Sequence, residues 1–351
     1  MTRGRKALLA IFAILLAALL WLLLPTGWNP LSARARPALN RDDAIERLHR
    51  LEALDDSEAL YLPCRTLVLD HGARTERAYV LLHGFTNCPR QFGTLAQLLY
   101  DGGANVLVPR MPRHGFANAS THVLTDLTAD ELIGTAGEAV DIARGLGKRV
   151  TVVGLSSSAV VAAWLAQERA DLDQILLIAP SFAPKDVPEA VAIPLSNALL
   201  RLPDIFVPWD PRHEWTGGPK SAYSGFTAHA IARVYALGAR VLESGPPAPG
   251  TRVLVVTTPH DEGVNNEVTL ELARRWAGRG VDVRSFEFPA GAWVHHDMID
   301  PEQPYQRVRV VYPLLRKLLE TGRIPTLADS VAYGGDSTRV ADAAQAGAAP
   351  P

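Results

Sequence analysis

The stretch Thr151-Val152-Val153-Gly154-Leu155-Ser156-Ser157-Ser158-Ala159 reads as a β-strand that passes through a sharp turn into a helix, with a serine at the turn. A turn this tight forces the backbone at Ser156 into a strained conformation, and bulky residues two positions away would collide with the adjoining strand and helix. Gly154 and Ser158 are small enough to meet that demand, although the usual pattern has glycine where this chain has Ser158. In isolation, Ser156 to Ser158 would serve equally as a polar helix start, because serine hydroxyls cap exposed N–H groups. The choice depends on the rest of the chain. A serine hydroxyl is a poor nucleophile at neutral pH and needs a base, usually a histidine held by a buried carboxylate.

Around this stretch, short apolar runs alternate with segments of helical period, which implies an α/β domain with a mostly parallel central sheet flanked by helices. Strands are expected over residues 65–70, 78–82, 105–108, 150–153, 174–178, 253–257 and 281–288, several apolar throughout, as buried parallel strands are. Helices are expected over 92–100, 130–144, 157–169, 267–277 and 306–319. In the last, Val308, Val311, Leu314, Leu315 and Leu318 form one stripe, and Pro313 predicts a kink or a later start. Residues 183–250 separate two core strands by far more than a crossover needs, so they read as an inserted helical cap. Leu199, Leu202, Ile205, Phe206 and Trp209 make its first half strongly apolar, either as the cap's own small core or as a pocket wall, and Phe226 to Leu242 reads as a helix. The domain is bounded at 64–325, with 31–63 as linker and N-terminal extension. The Ala- and Gly-rich tail at 326–351 is expected to be disordered.

Asp261 follows the strand at 253–257, and His296 follows the strand at 281–288, giving the order Ser156, Asp261, His296 that this strand–turn–helix context requires. His295 competes with His296 for the role of base, and Glu262 with Asp261 for that of orienting acid. Adjacent side chains cannot point the same way, and Val264 three residues beyond Asp261 fits the acid loop. An oxyanion hole is the second necessity, each donor contributing about 3 kcal/mol to barrier lowering. Leu81-Leu82-His83-Gly84-Phe85-Thr86 ends a core strand and turns tightly, so the expected donors are the backbone N–H groups of Phe85 and Ser157. His83 and His114 are expected to brace loops rather than carry protons.

The 351 residues carry a net charge of −2, so no basic stripe is available for nucleic acid. Two cysteines, Cys64 and Cys88, without CxxC spacing, and ten histidines without an HExxH pair, give no expectation of a metal, and no cofactor is implied. Ala7 to Leu24 is an unbroken apolar run that as a helix would reach about 27 Å, enough to cross a bilayer. Arg3, Arg5 and Lys6 precede it, as in a cleaved signal peptide or an uncleaved anchor. The length of the run and the Pro25, Gly27 and Trp28 after it favour a single anchor over residues 1–30. The preceding positive charges put the catalytic domain on the extracytoplasmic side, an inference that Arg34, Arg36 and Arg41 weaken.

With these residues in place, the chain resembles bacterial α/β-hydrolases of the carboxylesterase and monoacylglycerol lipase-like group over about residues 78–319. His83-Gly84-Phe85-Thr86, then Leu95 to Leu99, then Pro109 to Gly115, is similar to that family's oxyanion loop, first helix and histidine-glycine turn. His296-Asp297-Met298-Ile299-Asp300-Pro301 resembles the stretch opening its last helix. Two departures are Ser158 in the elbow and Arg113, where glycine is frequent. The resemblance implies the α/β-hydrolase fold and hydrolysis, through an acyl-enzyme, of a small-molecule ester with an apolar acyl or alcohol group. Peptidase or amidase, thioesterase and acyltransferase chemistry use the same triad, and a catalytically inactive envelope binding protein is the reading from another class. Cys88 sits in the oxyanion loop: outside the cytoplasm it would pair with Cys64, and otherwise the two are free buried thiols.

Overall fold

The computed structural model describes residues 3–24, 34–117, 122–209 and 219–325; the tail at 326–351 lies outside them. In chain order the described elements are α1 (Arg3–Leu23), α2 (Arg41–Asp56), β1 (Leu67–Leu69), β2 (Thr75–Leu82), α3 (Gly93–Asp101), β3 (Asn105–Val108), α4 (Ala129–Leu146) and β4 (Gly147–Leu155). There follow α5 (Ser157–Glu168), β5 (Gln174–Ile178), α6 (Glu189–Leu199), β6 (Phe206–Pro208), β7 (Gly225–Thr227), α7 (Ala228–Glu243), β8 (Arg252–Thr257), α8 (Asn266–Ala277), β9 (Val283–Glu287) and α9 (Val308–Thr321).

Seven strands form one sheet in the order β1-β3-β2-β4-β5-β8-β9, parallel throughout except for β1, which pairs antiparallel with β3 at the edge. The central strands alternate their side chains between two apolar layers, as a period of two requires. Val150, Val152, Ile175, Leu177, Val253 and Val255 face the layer containing α2, α4, α5, α7 and α8. Val153, Leu155, Leu176, Ile178, Leu254 and Val256 face the layer under α3 and α9. Burial on both faces explains why these strands are continuous apolar runs rather than alternating ones. The helix α4 is started by a capping box, in which Thr128 accepts from Glu131 N and the Glu131 carboxylate accepts from Thr128 N.

The structure departs from the sequence reading in three places. Residues 41–56, expected as linker, form α2, whose Ala44 and Leu48 pack against α4. A Cβ on Gly145 would lie 2.6 Å from Ala44 Cβ, so α4 leaves room for α2. The strong charge of Arg41-Asp42-Asp43 and Glu46-Arg47 masks that short apolar stripe. Second, α7 packs on α5 and contributes Val234, Leu237 and Val241 to the main core, so it covers the sheet as a crossover helix. The part of the insertion that stands apart is therefore α6 and the β6–β7 hairpin. Third, α9 begins at Val308, two residues later than expected, with Pro313 inside it as the sequence had it.

Arg169, at the end of α5, is buried and donates to Asp141 Oδ1 (2.6 Å), Asp171 Oδ2 (2.7 Å) and the Gly137 carbonyl (3.1 Å), joining α5 to α4. Truncation leaves the buried Asp141 carboxylate without its cation. Arg169→Ala is expected to destabilise the domain by about 3–5 kcal/mol, read as a lowered denaturant midpoint with an unchanged slope.

Candidate active site

β4 delivers Ser156 to the carboxyl end of the sheet with φ 57° and ψ −117°, a conformation that costs a non-glycine residue about 1–3 kcal/mol. Neighbouring backbone holds it there: Ser156 N donates to the Ile178 carbonyl (2.9 Å), and Ser181 N donates to the Ser156 carbonyl (3.1 Å). A Cβ on Gly154 would lie 2.4 Å from the Ser158 carbonyl oxygen, so glycine is required two residues before the turn. Two residues after it, the Ser158 hydroxyl donates to the His83 carbonyl at 2.5 Å in a fully buried position. Serine in place of the usual glycine thus ties the elbow to the loop after β2, a role invisible in the sequence.

Beyond β8, Asp261 is buried, and its Oδ1 accepts from Gly263 N (2.9 Å) and Val264 N (3.0 Å). Beyond β9, His296 Nδ1 lies 2.8 Å from Asp261 Oδ2 and 3.0 Å from Oδ1. Burial disfavours the imidazolium, but the Asp261 charge and hydrogen bond, with Asp297 behind, outweigh it and hold His296 above the ordinary histidine range. The reciprocal holds for Asp261: burial works against its charge, but His296 and two backbone N–H groups keep it low and ionised. Since Asp261 is ionised, Nδ1 carries the hydrogen, and in the neutral ring Nε2 keeps its lone pair. The competitors stand elsewhere, Glu262 exposed and His295 tilted against the rings of His260 and Tyr305. Among the described residues Ser156 and His296 are not joined by a hydrogen bond. They follow β4 and β9, which are separated by β5 and β8, three strand spacings or about 14 Å at the strand ends.

β2 pairs with β4 in the register Leu82↔Gly154, which sets His83-Gly84-Phe85 beside Leu155-Ser156. His83 Nε2 accepts from Met111 N (3.0 Å) and its Nδ1 faces the Gly84 carbonyl (3.1 Å). Burial, reinforced by the neighbouring His114, keeps the His83 ring neutral. His114 is pushed down to about 4 by burial, and its Nδ1 lies 2.7 Å from the Pro112 carbonyl. Neither ring is placed to move protons. The Gly84 N–H is taken by Gln91 Oε1 at 2.8 Å, whereas the Phe85 N–H has no protein acceptor among the described residues. Ser157 is the first residue of α5, so its N–H has no intrahelical acceptor.

Other residues surround the site, and of these Gln91, Asn87 and Tyr223 were not singled out in the sequence. Gln91 bridges the loop after β2 to the histidine loop, accepting from Gly84 and donating to Asp297 Oδ1 at 3.3 Å. Asn87 donates to Asp300 Oδ2 (3.2 Å), whose carboxyl burial pushes up to about 6. Trp209 Nε1 donates to Thr86 Oγ1 (2.9 Å), Tyr223 N donates to the Thr86 carbonyl (2.8 Å), and Phe226 packs its ring 5.6 Å from that of Phe85. Nothing in the residue pattern around Gln91 or Asn87 marks them out; only the fold brings them opposite residues more than 200 positions away. Cys88 is bonded to Cys64 across 24 positions, anchoring the far end of the loop. Closing that loop stabilises the fold by about 3 kcal/mol in the chain-entropy account.

A parallel sheet with this strand order, a serine on a strained strand-to-helix turn, and an acid and a histidine after later strands define an α/β-hydrolase architecture. The alpha/beta hydrolase family model matches residues 79–309, and the chain belongs to that family. Its fold is similar to a structure of the metagenome-derived lipolytic enzymes LipS and LipT, at 19% identity and a TM-score of 0.52, covering 68% of this chain and 91% of the other. It is also similar to a soluble variant of the monoglyceride lipase of Saccharomyces cerevisiae bound to a substrate analog, at 11% identity and a TM-score of 0.55, covering 73% and 90%. No curated protein matches the sequence.

Removing the Ser158 hydroxyl leaves the buried His83 carbonyl without a donor. Ser158→Ala is expected to cost about 1–3 kcal/mol of stability, measured by equilibrium unfolding.

Proposed function

We propose that the protein is a membrane-anchored serine hydrolase that cleaves carboxylic esters through an acyl-enzyme. The observation that carries this reading is the His296–Asp261 contact, with no hydrogen bond to the ring's Nε2 among the described residues, on the same sheet end as a strained Ser156. In the first half-reaction the Ser156 Oγ–H bond breaks, its proton passes to His296 Nε2, and Oγ attacks the ester carbonyl carbon. The carbonyl oxygen becomes an oxyanion that accepts from the Phe85 and Ser157 N–H groups. Collapse expels the alcohol, which takes the proton from His296. Water then repeats the sequence, giving its proton to Nε2 and releasing the carboxylic acid and free Ser156. Asp261 holds the tautomer and stabilises the imidazolium without taking the proton. The relatives described as lipolytic enzymes and as a monoglyceride lipase support an ester with an apolar acyl or alcohol group.

The helix α1 contains a 20-residue candidate span, Gly4–Leu23, long and apolar enough to cross a bilayer, with none of its most apolar window buried in the protein. We read it as an uncleaved anchor. The Cys64–Cys88 bond favours an oxidising compartment and hence an extracytoplasmic domain. The chain extracted from membranes is expected to keep its N-terminus, with an intact mass of 38.0 kDa before small modifications. A mass lacking the first 24 residues or more would identify a cleaved signal instead.

Hydrolysis of p-nitrophenyl esters of graded chain length tests the reaction. Ser156→Ala is expected to reduce turnover to background, whereas unchanged turnover would place the nucleophile elsewhere. Activity requires neutral His296, so kcat/KM is expected to rise with pH through an acid limb above 6.5, because the Asp261 charge raises this group. Asp261→Asn leaves burial as the dominant influence. Its acid limb is expected below 6.5, with kcat lower by about 10³–10⁴-fold. Limbs at the same pH in both enzymes would contradict the assigned pair.

A further inference from the structure

The end of α1 does not hang free of the domain; it is held by α6. Arg201 Nη1 donates to the carbonyls of Leu22 (3.1 Å) and Leu24 (2.6 Å), and Asn197 Nδ2 donates to that of Leu23 (3.2 Å). The Arg201 guanidinium also lies 5.3 Å from the centroid of the Trp21 ring. These carbonyls are the ones a helix C-terminus leaves without partners, and a cation there complements the helix dipole. The 21 residues of α1 rise about 30 Å, the thickness of a bilayer's hydrocarbon core. If α1 spans the membrane, its last residues mark the hydrocarbon boundary, and the side chains bonded to them lie at headgroup level.

The stretch 189–209 that carries this latch has an unusual surface. It holds three charged residues, and each is engaged within the protein. Glu189 is bridged to Arg275 (3.0 Å), Arg201 to the end of α1, and Asp204 Oδ1 accepts from His229 N (2.9 Å). The side chains left facing out are apolar: Val191 and Leu195, one helical turn apart on α6, then Leu202, Ile205 and Trp209, with exposures between 36% and 59%. Leu202 directly follows Arg201, and Leu195 lies on α6 two positions before Asn197. An apolar surface of this kind, beside the end of a spanning helix, matches elements that lie in a lipid interface. At its far end the stretch reaches the candidate active site, where Trp209 donates to Thr86 in the oxyanion loop.

We propose that residues 189–209 form a lipid-contacting surface that rests on the leaflet where α1 ends, held there by the Arg201–Asn197 latch, so that the site takes esters carried in that leaflet. The substrate part rests on the serine-hydrolase reading and on an uncleaved α1; the surface part rests only on the latter.

The experiment uses the full chain reconstituted in phosphatidylcholine vesicles with brominated acyl chains. The Trp209 contribution to fluorescence is obtained by subtracting the signal of W209F. Shallow bromines are expected to quench this component by about a third or more, and an unquenched Trp209 component would overturn the surface. In the same vesicles, Leu195→Glu combined with Ile205→Glu is expected to lower hydrolysis of an embedded monoacylglycerol at least fivefold. Turnover of a water-soluble butyrate ester should stay within twofold. Equal effects on both esters, or no effect on either, would overturn delivery from the leaflet. If the parent chain cleaves neither ester, the hydrolase reading and the delivery proposal fall together, and the quenching alone decides the surface.

Discussion

Gly154 has no room for a side chain, because the Ser158 carbonyl and Ala159 Cα stand 2.4 and 2.7 Å from where a Cβ would be. That close approach lets β4 turn within one residue into α5, and the rest of the site is arranged around the turn. It puts Ser156 at the carboxyl end of the sheet in a left-handed conformation, and it leaves the Ser157 N–H at the start of a helix without an acceptor. The strain at Ser156 is offset by the backbone bonds to Ile178 and Ser181 and by the burial of α5 between α4 and α7. Parallel pairing then does the positioning. Because β2, β5, β8 and β9 run in the same direction as β4, the loops carrying Phe85, Asp261 and His296 emerge at one end.

Around that turn the loop proposed to hold the oxyanion is fixed from several independent directions. Ser158 holds the His83 carbonyl, His83 holds the loop at Met111, Gln91 takes the Gly84 N–H, and the disulfide closes the loop at Cys88. From above, the β6–β7 region adds Trp209 and Tyr223 on Thr86. Among the described residues the Gly84 N–H is taken by Gln91, and the Phe85 N–H is left without a protein acceptor. A donor fixed before substrate arrives needs no reorganisation when charge develops, which is where such sites gain most of their rate. Gln91 also contacts Asp297, so the loops bearing the proposed donor and base are braced against each other.

The alternating apolar runs made the sheet legible in the sequence: Asn105 to Val108 and Gln174 to Ile178 are strands to the residue, since strands buried on both faces leave a continuous apolar signature. The order of Ser156, Asp261 and His296 was also legible, because it follows from the order of the strands. Other features were not. The helix α2 hid its two buried apolar residues among nine charged ones, and the β6–β7 hairpin is three residues per strand, too short for periodicity to register. Ser158 looked like a departure from the elbow pattern because its partner, the His83 carbonyl, is 75 residues away. Gln91 and Asn87 owe their roles to residues 206 and 213 positions on, which local sequence cannot encode.

The central claim is that the turn at residue 156 carries an activated nucleophile. It is tested most directly by exposing the full chain to a fluorophosphonate and locating the covalent adduct by tandem mass spectrometry. The account predicts one adduct, on the hydroxyl of Ser156, forming faster as pH rises past 6.5 and absent in Ser156→Ala. An adduct on Ser157 or Ser158 instead, or no adduct on a folded chain, would contradict it.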